Sequence, residues 1–192
     1  MNLESWFPTP VIYDFANEEL KNAIKQEFFK SEKEIVTKIQ NMVWGDNVAS
    51  TFNTTKNILD EYQLSNLKNY ILFVANEFNK NLYPNKNIIT INNCWVNYNI
   101  KHQYQNKHNH LPYDISGVYY IQTNGKDGDL IFSNLNPNTH ILKNTSVFTC
   151  SEVSYTPEEG KIIMFPSWAE HSVRANMTDS TRISVSFNLK VE

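Results

Sequence analysis

The sequence predicts an α+β, mainly β protein: a double-sheet jelly roll with N-terminal helices packed on one sheet. Three observations predict it. Apolar residues recur at helical spacing between about residues 17 and 90 and at a period of two from about Ile88 onward. Short segments rich in Val, Ile, Tyr and Phe, separated by turn residues, then fill roughly a hundred residues, the pattern of a jelly roll. Four of the five glycines (Gly117, Gly125, Gly128 and Gly160) fall in that second half, where tight turns need them.

The elements follow in order. Asn17 precedes Glu18 and Glu19, a capping residue followed by two acids at the positive end of a helix dipole. Leu20, Ile24 and Phe28 then repeat every four residues. Leu64, Leu67, Ile71, Val74 and Phe78 step by 3, 4, 3 and 4, with Asn66, Lys68, Asn69 and Asn76 on the opposite face. Pro84 ends this helix. Strands are expected over 94–99, 116–123, 129–133, 152–156, 161–166, 171–175 and 182–190. The segments 124–129 and 158–160 read as hairpin turns using glycine at positive φ, and 176–180 as the turn of a further hairpin.

Length and composition bound the function. The 192 residues suit one domain, a helical support region (1–90) running without a linker into a jelly-roll core (91–192). A chain that is 41% hydrophobic and 19% charged is neither disordered nor a coiled coil. Seventeen Lys and Arg against twenty Asp and Glu give a net charge of −3, so no basic field draws the chain to nucleic acid or anionic lipid. No apolar run approaches the ~20 residues that span a bilayer, and residues 1–5 do not open a secretory signal, so a cytoplasmic location is expected. Cys94 and Cys150 belong to no Cys-x-x-Cys pattern and read as buried small hydrophobes.

Chemistry concentrates in a few residues. His108 and His110 lie two apart, which on an extended strand offers two imidazoles on one face. Solvated loop histidines are the plain alternative. In the segment 160–171 a turn glycine opens an apolar strand, Pro166 breaks it, and His171 opens the next strand at the barrel mouth. Arg182, Ser184 and Ser186 share one face of the last strand, with Ile183, Val185 and Phe187 on the other. An inward Arg182 needs an anionic partner, best a carboxylate held bidentately. A solvated Arg182, or one paired with Glu170 or Asp179, is the alternative. His102 and His140 read as surface residues, Trp6 and Trp44 as packing residues, and Trp168 as lining the mouth or packing on the helices.

The ordered set His108-x-His110, His171 about sixty residues on, and Arg182-x-Ser184 eleven later resembles the 2-oxoglutarate/Fe(II)-dependent oxygenases. Trp95-Val96-Asn97, Ser116-Gly117-Val118-Tyr119-Tyr120, the run from Arg182 to Asn188 and Phe7-Pro8-Thr9-Pro10 narrow the resemblance to a prolyl-hydroxylase-like branch found in bacteria and phages. The resemblance implies a double-stranded β-helix enzyme that uses Fe(II), 2-oxoglutarate and O₂ and hydroxylates a substrate, a peptide or protein side chain, with release of succinate and CO₂. For a phage-encoded protein the location would be the host cytoplasm. His108 and His171 would ligate iron, with His110 where most of the superfamily has a carboxylate; Asp114 is the competing third ligand. Arg182 would receive the distal carboxylate of 2-oxoglutarate and Ser184 would donate to it. Asn97, Ser116 and Tyr120 are expected near the cosubstrate from their strand positions. Two other readings stand beside this one: a cupin-type metal protein without 2-oxoglutarate, whose first motif needs a Glu where Pro112-Tyr113-Asp114 stand, and a non-enzymatic jelly-roll module.

Overall fold

In the computed structural model, residues 9–41, 47–86, 88–134 and 150–192 are described. Trp6, Trp44 and His140 lie outside them. The elements run β1 (Ile12–Phe15), α1 (Glu18–Thr37), β2 (Gln40–Asn41), β3 (Ala49–Ser50), α2 (Ile58–Glu61), α3 (Ser65–Leu82), β4 (Ile89–Asn99), β5 (Gln105–His108), β6 (Ile115–Gln122), β7 (Leu130–Ser133), β8 (Glu152–Tyr155), β9 (Lys161–Pro166), β10 (His171–Val173) and β11 (Arg182–Val191). A seven-stranded sheet has the order β1-β9-β6-β11-β4-β3-β2, and a four-stranded sheet the order β5-β10-β7-β8.

The pairings are nested: β4 with β11, β5 with β10, β6 with β9 and β7 with β8, all antiparallel. A long antiparallel ribbon has therefore been wrapped on itself, which is the expected jelly roll. Gly125, Gly128 and Gly160 take positive φ as the turn reading requires. Their turns are not hairpins, however, and neither is 176–180: β6 to β7, β8 to β9 and β10 to β11 each cross from one sheet to the other. Turn chemistry is local, whereas sheet membership is decided by distant partners.

Both long helices lie where expected. Asn17 Oδ1 accepts the Leu20 N–H at 2.8 Å, capping α1. Ile24, Phe28 and Ile35 of α1 and Leu67, Ile71, Val74 and Phe78 of α3 are buried against Tyr119, Ile121, Ile162, Met164, Ile183, Val185 and Phe187 of the large sheet. The alternate residues of those strands, Val118, Tyr120, Ile163 and Phe165, join Leu130, Phe132 and Ala169 in a smaller core between the sheets. The main apolar core is thus outside the barrel, which leaves part of the barrel interior to polar groups.

Four features depart from the sequence reading. The N-terminal region is not purely helical, because β1, β2 and β3 extend the large sheet. These strands are two to four residues long, too short to show a period. The strand expected from residue 94 starts at Ile89, and β5 was hidden by its polar sequence. Cys94 is buried but Cys150 is only half-buried.

Ile71 faces the sheet from α3 and is fully buried, whereas Phe73 on the same helix is exposed. Ile71→Ala should destabilise the protein by about 2–5 kcal/mol in urea unfolding. Phe73→Ala should cost less than about 0.5 kcal/mol in the same measurement.

Candidate active site

Three of the five histidines converge. The register of β10 and β5 sets His171 directly across from His108, so their rings emerge side by side. His110 arrives differently from the expected strand alternation. β5 ends at His108, the chain turns, and the His110 N–H donates to the Ser167 carbonyl at 2.8 Å. That contact returns the third ring to the other two. Ring centroids are 4.4 Å apart for His108 and His171, and 5.0 Å for each pair containing His110. One nitrogen from each ring lies within 4.8 Å of the other two.

Tautomers are set by backbone carbonyls. His108 Nδ1 lies 2.6 Å from Asn106 O, and His171 Nδ1 lies 2.9 Å from Ala169 O. A carbonyl only accepts, so each Nδ1 carries the proton and each Nε2 presents a lone pair. His110 Nε2 stands 3.2 Å from His171 Nε2. That is close to the separation of two neighbouring nitrogens each about 2.1 Å from one divalent cation. Burial, followed by the neighbouring His108, brings His110 down to about 3 and His171 well below its usual value, with His110 a further cause at His171. Neutral imidazoles are the ligating form, and an all-imidazole set suits iron, zinc, copper or nickel. The residues therefore fit a metal ion.

Asp114 is not the third ligand of this arrangement. Its Oδ2 accepts the Val191 N–H at 3.0 Å and lies 3.4 Å from Lys190 Nζ, which ties it to the last strand. Among the described residues, the cluster of possible metal ligands is His108, His110 and His171 alone.

A small cavity runs from the histidines to Arg182, lined also by Trp95, Tyr120, Phe165, Ser184 and Ser186. Arg182 is 2% exposed. Its Nη1 donates to Asp127 O at 2.8 Å and Gly128 O at 2.5 Å, while Nε is buried without a partner. The two acids that the sequence offers as partners are engaged elsewhere, Glu170 with Lys107 and Asp179 with Lys101, and the nearby Asp127 carboxylate makes no bond to it. A buried cation bonded only to carbonyls invites an anion into the cavity. Burial lowers the Arg182 pKa against the opposing influence of Tyr120, Asp127 and Asp129. Burial also pushes Tyr120 up to about 12, so its phenol is a neutral donor beside the guanidinium.

Other expected site residues have less direct places. Ser184 lines the cavity, but Asn97 stands behind it, its Nδ2 donating to Ser186 Oγ at 3.0 Å. Ser116 is outside the lining. Its hydroxyl bonds Ser167 Oγ at 2.6 Å and Asn188 Oδ1 at 2.7 Å, bracing the segment whose carbonyl holds His110. Trp95, whose ring lies 5.8 Å from that of His110, is a wall of the site that the sequence reading did not single out, although it shares a face of β4 with Asn97. His102 is exposed in a turn, as read, and Trp168 is partly exposed beside Ser167.

The family described as "Putative 2OG-Fe(II) oxygenase" matches residues 93–188. Comparison with curated proteins gives no match. The fold is similar to that of a Pseudomonas putida prolyl-4-hydroxylase, at 14% identity and a TM-score of 0.64 over 96% of this chain and 94% of that one. It is also similar to a Trichoplax adhaerens prolyl hydroxylase in complex with a hypoxia inducible factor peptide fragment, at 16% identity and a TM-score of 0.64 over 94% and 82%. A viral collagen prolyl hydroxylase from Paramecium Bursaria Chlorella virus-1, in a 2OG complex, gives 12% identity and a TM-score of 0.59 over 92% and 94%. No helix among the described residues is long and apolar enough to cross a membrane.

The depressed His110 pKa has a consequence for stability. An unfolded histidine takes up its proton near pH 6.5, whereas folded His110 does so only near 3. The unfolded state thus binds more protons between those values, and stability is complete above pH 6.5 and declines as pH falls toward 3. In metal-stripped protein the thermal midpoint should fall from pH 7 to pH 4, and His110→Asn should flatten that slope.

Proposed function

The chain belongs to the 2OG-Fe(II) oxygenase family, and on that premise we propose that it hydroxylates a peptide or protein side chain at a three-histidine iron centre, releasing succinate and CO₂. Fe(II), 2-oxoglutarate and O₂ are the cofactor and cosubstrates of this family. The observation that carries the residue assignment is one cavity with imidazole nitrogens at one end and an anion-seeking guanidinium at the other.

His108, His110 and His171 hold the metal in this reading, each as a neutral imidazole. Iron bound there supplies the oxidative decarboxylation of 2-oxoglutarate and the activation of O₂ for hydroxylation of a C–H bond. The Nδ1–H bonds of His108 and His171 to Asn106 and Ala169 keep both rings oriented without any charge change. Arg182 receives the distal carboxylate, with Ser184 and Tyr120 donating beside it, and Trp95 and Phe165 restrict water. Asn97 acts through Ser186, and Ser116 acts through Ser167 on His110. Exposed Phe52, Leu111 and Trp168 offer apolar surface flanking Trp95 and the histidine segments. Such surface suits a peptide, and the Trichoplax neighbour is a prolyl hydroxylase bound to one.

The cupin reading gives Arg182 no task and has no carboxylate in place, since Asp114 is held by β11. An inert jelly roll leaves a buried guanidinium, bonded only to carbonyls and with Nε unpartnered, without a reason.

Anaerobic addition of 2-oxoglutarate to the Fe(II)-loaded protein should produce the weak visible charge-transfer band of the chelate, and none should form with His171→Ala. Arg182→Leu should weaken 2-oxoglutarate binding by about tenfold or more while leaving Fe(II) affinity unchanged, because a charge-assisted contact is worth roughly 1.5–3 kcal/mol. Equal loss of both would contradict the assignment. Succinate release with candidate peptides, and a mass gain of one oxygen on one of them, tests the substrate class.

A further inference from the structure

Arg182 is held from outside its own strand. The turn between β6 and β7 points two successive carbonyls, of Asp127 and Gly128, at Nη1. Gly128 has φ +104°, and a Cβ there would lie 2.1 Å from Arg174 O and 3.2 Å from Arg182 Nη1, so the turn packs directly on the guanidinium. Asp127 is fully buried, yet its carboxylate does not bond Arg182. Oδ1 instead accepts from the Thr123 hydroxyl at 2.6 Å and Oδ2 from the Asn124 N–H at 3.0 Å. Thr123 Oγ1 in turn accepts the Gly125 N–H at 3.1 Å. The side chain of Asp127 thereby closes the turn whose carbonyls grip the arginine.

We infer that Asp127 is a positioning residue for the cosubstrate: it locks the 123–128 turn, which fixes the plane of the Arg182 guanidinium and keeps its Nε free for a carboxylate. This rests on the proposed role of Arg182 and deepens it. A guanidinium is planar, so anchoring one of its nitrogens at two carbonyls restricts the remaining donors to one orientation. Ordering an arginine before its ligand arrives removes an entropic cost that would otherwise weaken binding.

Charge and geometry predict opposite signs here. Asp127 is an anion near the seat of an anionic ligand, so an effect through charge alone would tighten 2-oxoglutarate binding when that charge is removed. An effect through geometry would weaken binding when the turn is unlocked and would spare an isosteric neutral residue. Asn at 127 can still accept the Asn124 N–H through Oδ1 and donate to Thr123 Oγ1 through Nδ2.

The experiment is anaerobic titration of the Fe(II)-loaded protein with 2-oxoglutarate and with pyruvate, which keeps the 2-oxo acid end but lacks the distal carboxylate. Asp127→Ala should weaken 2-oxoglutarate binding by about tenfold or more, leave pyruvate and Fe(II) affinities within about twofold, and raise the KM for 2-oxoglutarate in uncoupled succinate release without lowering kcat. Asp127→Asn should stay within about threefold of the parent protein, and Thr123→Val should weaken 2-oxoglutarate by about threefold. Unchanged or tighter 2-oxoglutarate binding by Asp127→Ala overturns the inference, as does a matching loss of pyruvate affinity. A parent protein that binds Fe(II) but not 2-oxoglutarate would remove the role of Arg182 itself. A parent protein that binds both, with an indifferent Asp127→Ala, removes only the positioning.

Discussion

The strand β11 has to serve two incompatible surroundings at once, and the rest of the molecule is arranged around that constraint. Its residues alternate in direction, so Ile183, Val185 and Phe187 enter the core shared with α1 and α3 while Arg182, Ser184 and Ser186 enter the barrel. A one-residue slip would send a guanidinium into the helices and three large apolar chains into the cavity. Pairing on both sides, with β4 and with β6, guards against the slip. Stability is concentrated outside the barrel, and the interior is released from the duty of being a hydrophobic core.

That release explains why charge and neutral donors can sit a short distance apart inside one small cavity. Arg182 keeps its charge where carbonyls are its partners, and His110 and His171 lose theirs because burial and the neighbouring His108 disfavour protonation. The two ends therefore differ in what they accept, a soft lone-pair acceptor at one and an anion at the other. A small acid that chelates through one end and carries a carboxylate at the other matches both requirements.

Much of this was legible in the residues because it is local or periodic. The cap at Asn17, the apolar stripe of α3, the strand alternation from Ser116 to Tyr120 and the two faces of β11 all follow from short-range rules. The three histidines and Arg182 were legible as an ordered set. What was hidden depends on contacts far apart in sequence. β5 has the polar sequence Gln-Asn-Lys-His and is a strand only because β10 pairs with it. The return of His110 needs the carbonyl of Ser167, and the place of Ser116 needs Ser167 and Asn188. Asp114 was a reasonable competing ligand from its position, and only the nearby Val191 N–H and Lys190 show where its carboxylate goes.

The cross-strand pair His108 and His171 also has a mechanical meaning. β5 is four residues long and β10 three, with a register irregularity between them, so their backbone ladder is short and interrupted. An ion gripped by both rings, and by a third ring from the loop beyond, would act there as a rivet. Occupancy of the centre and integrity of that edge are then coupled, and binding the ion would also stiffen the strand pair that presents it.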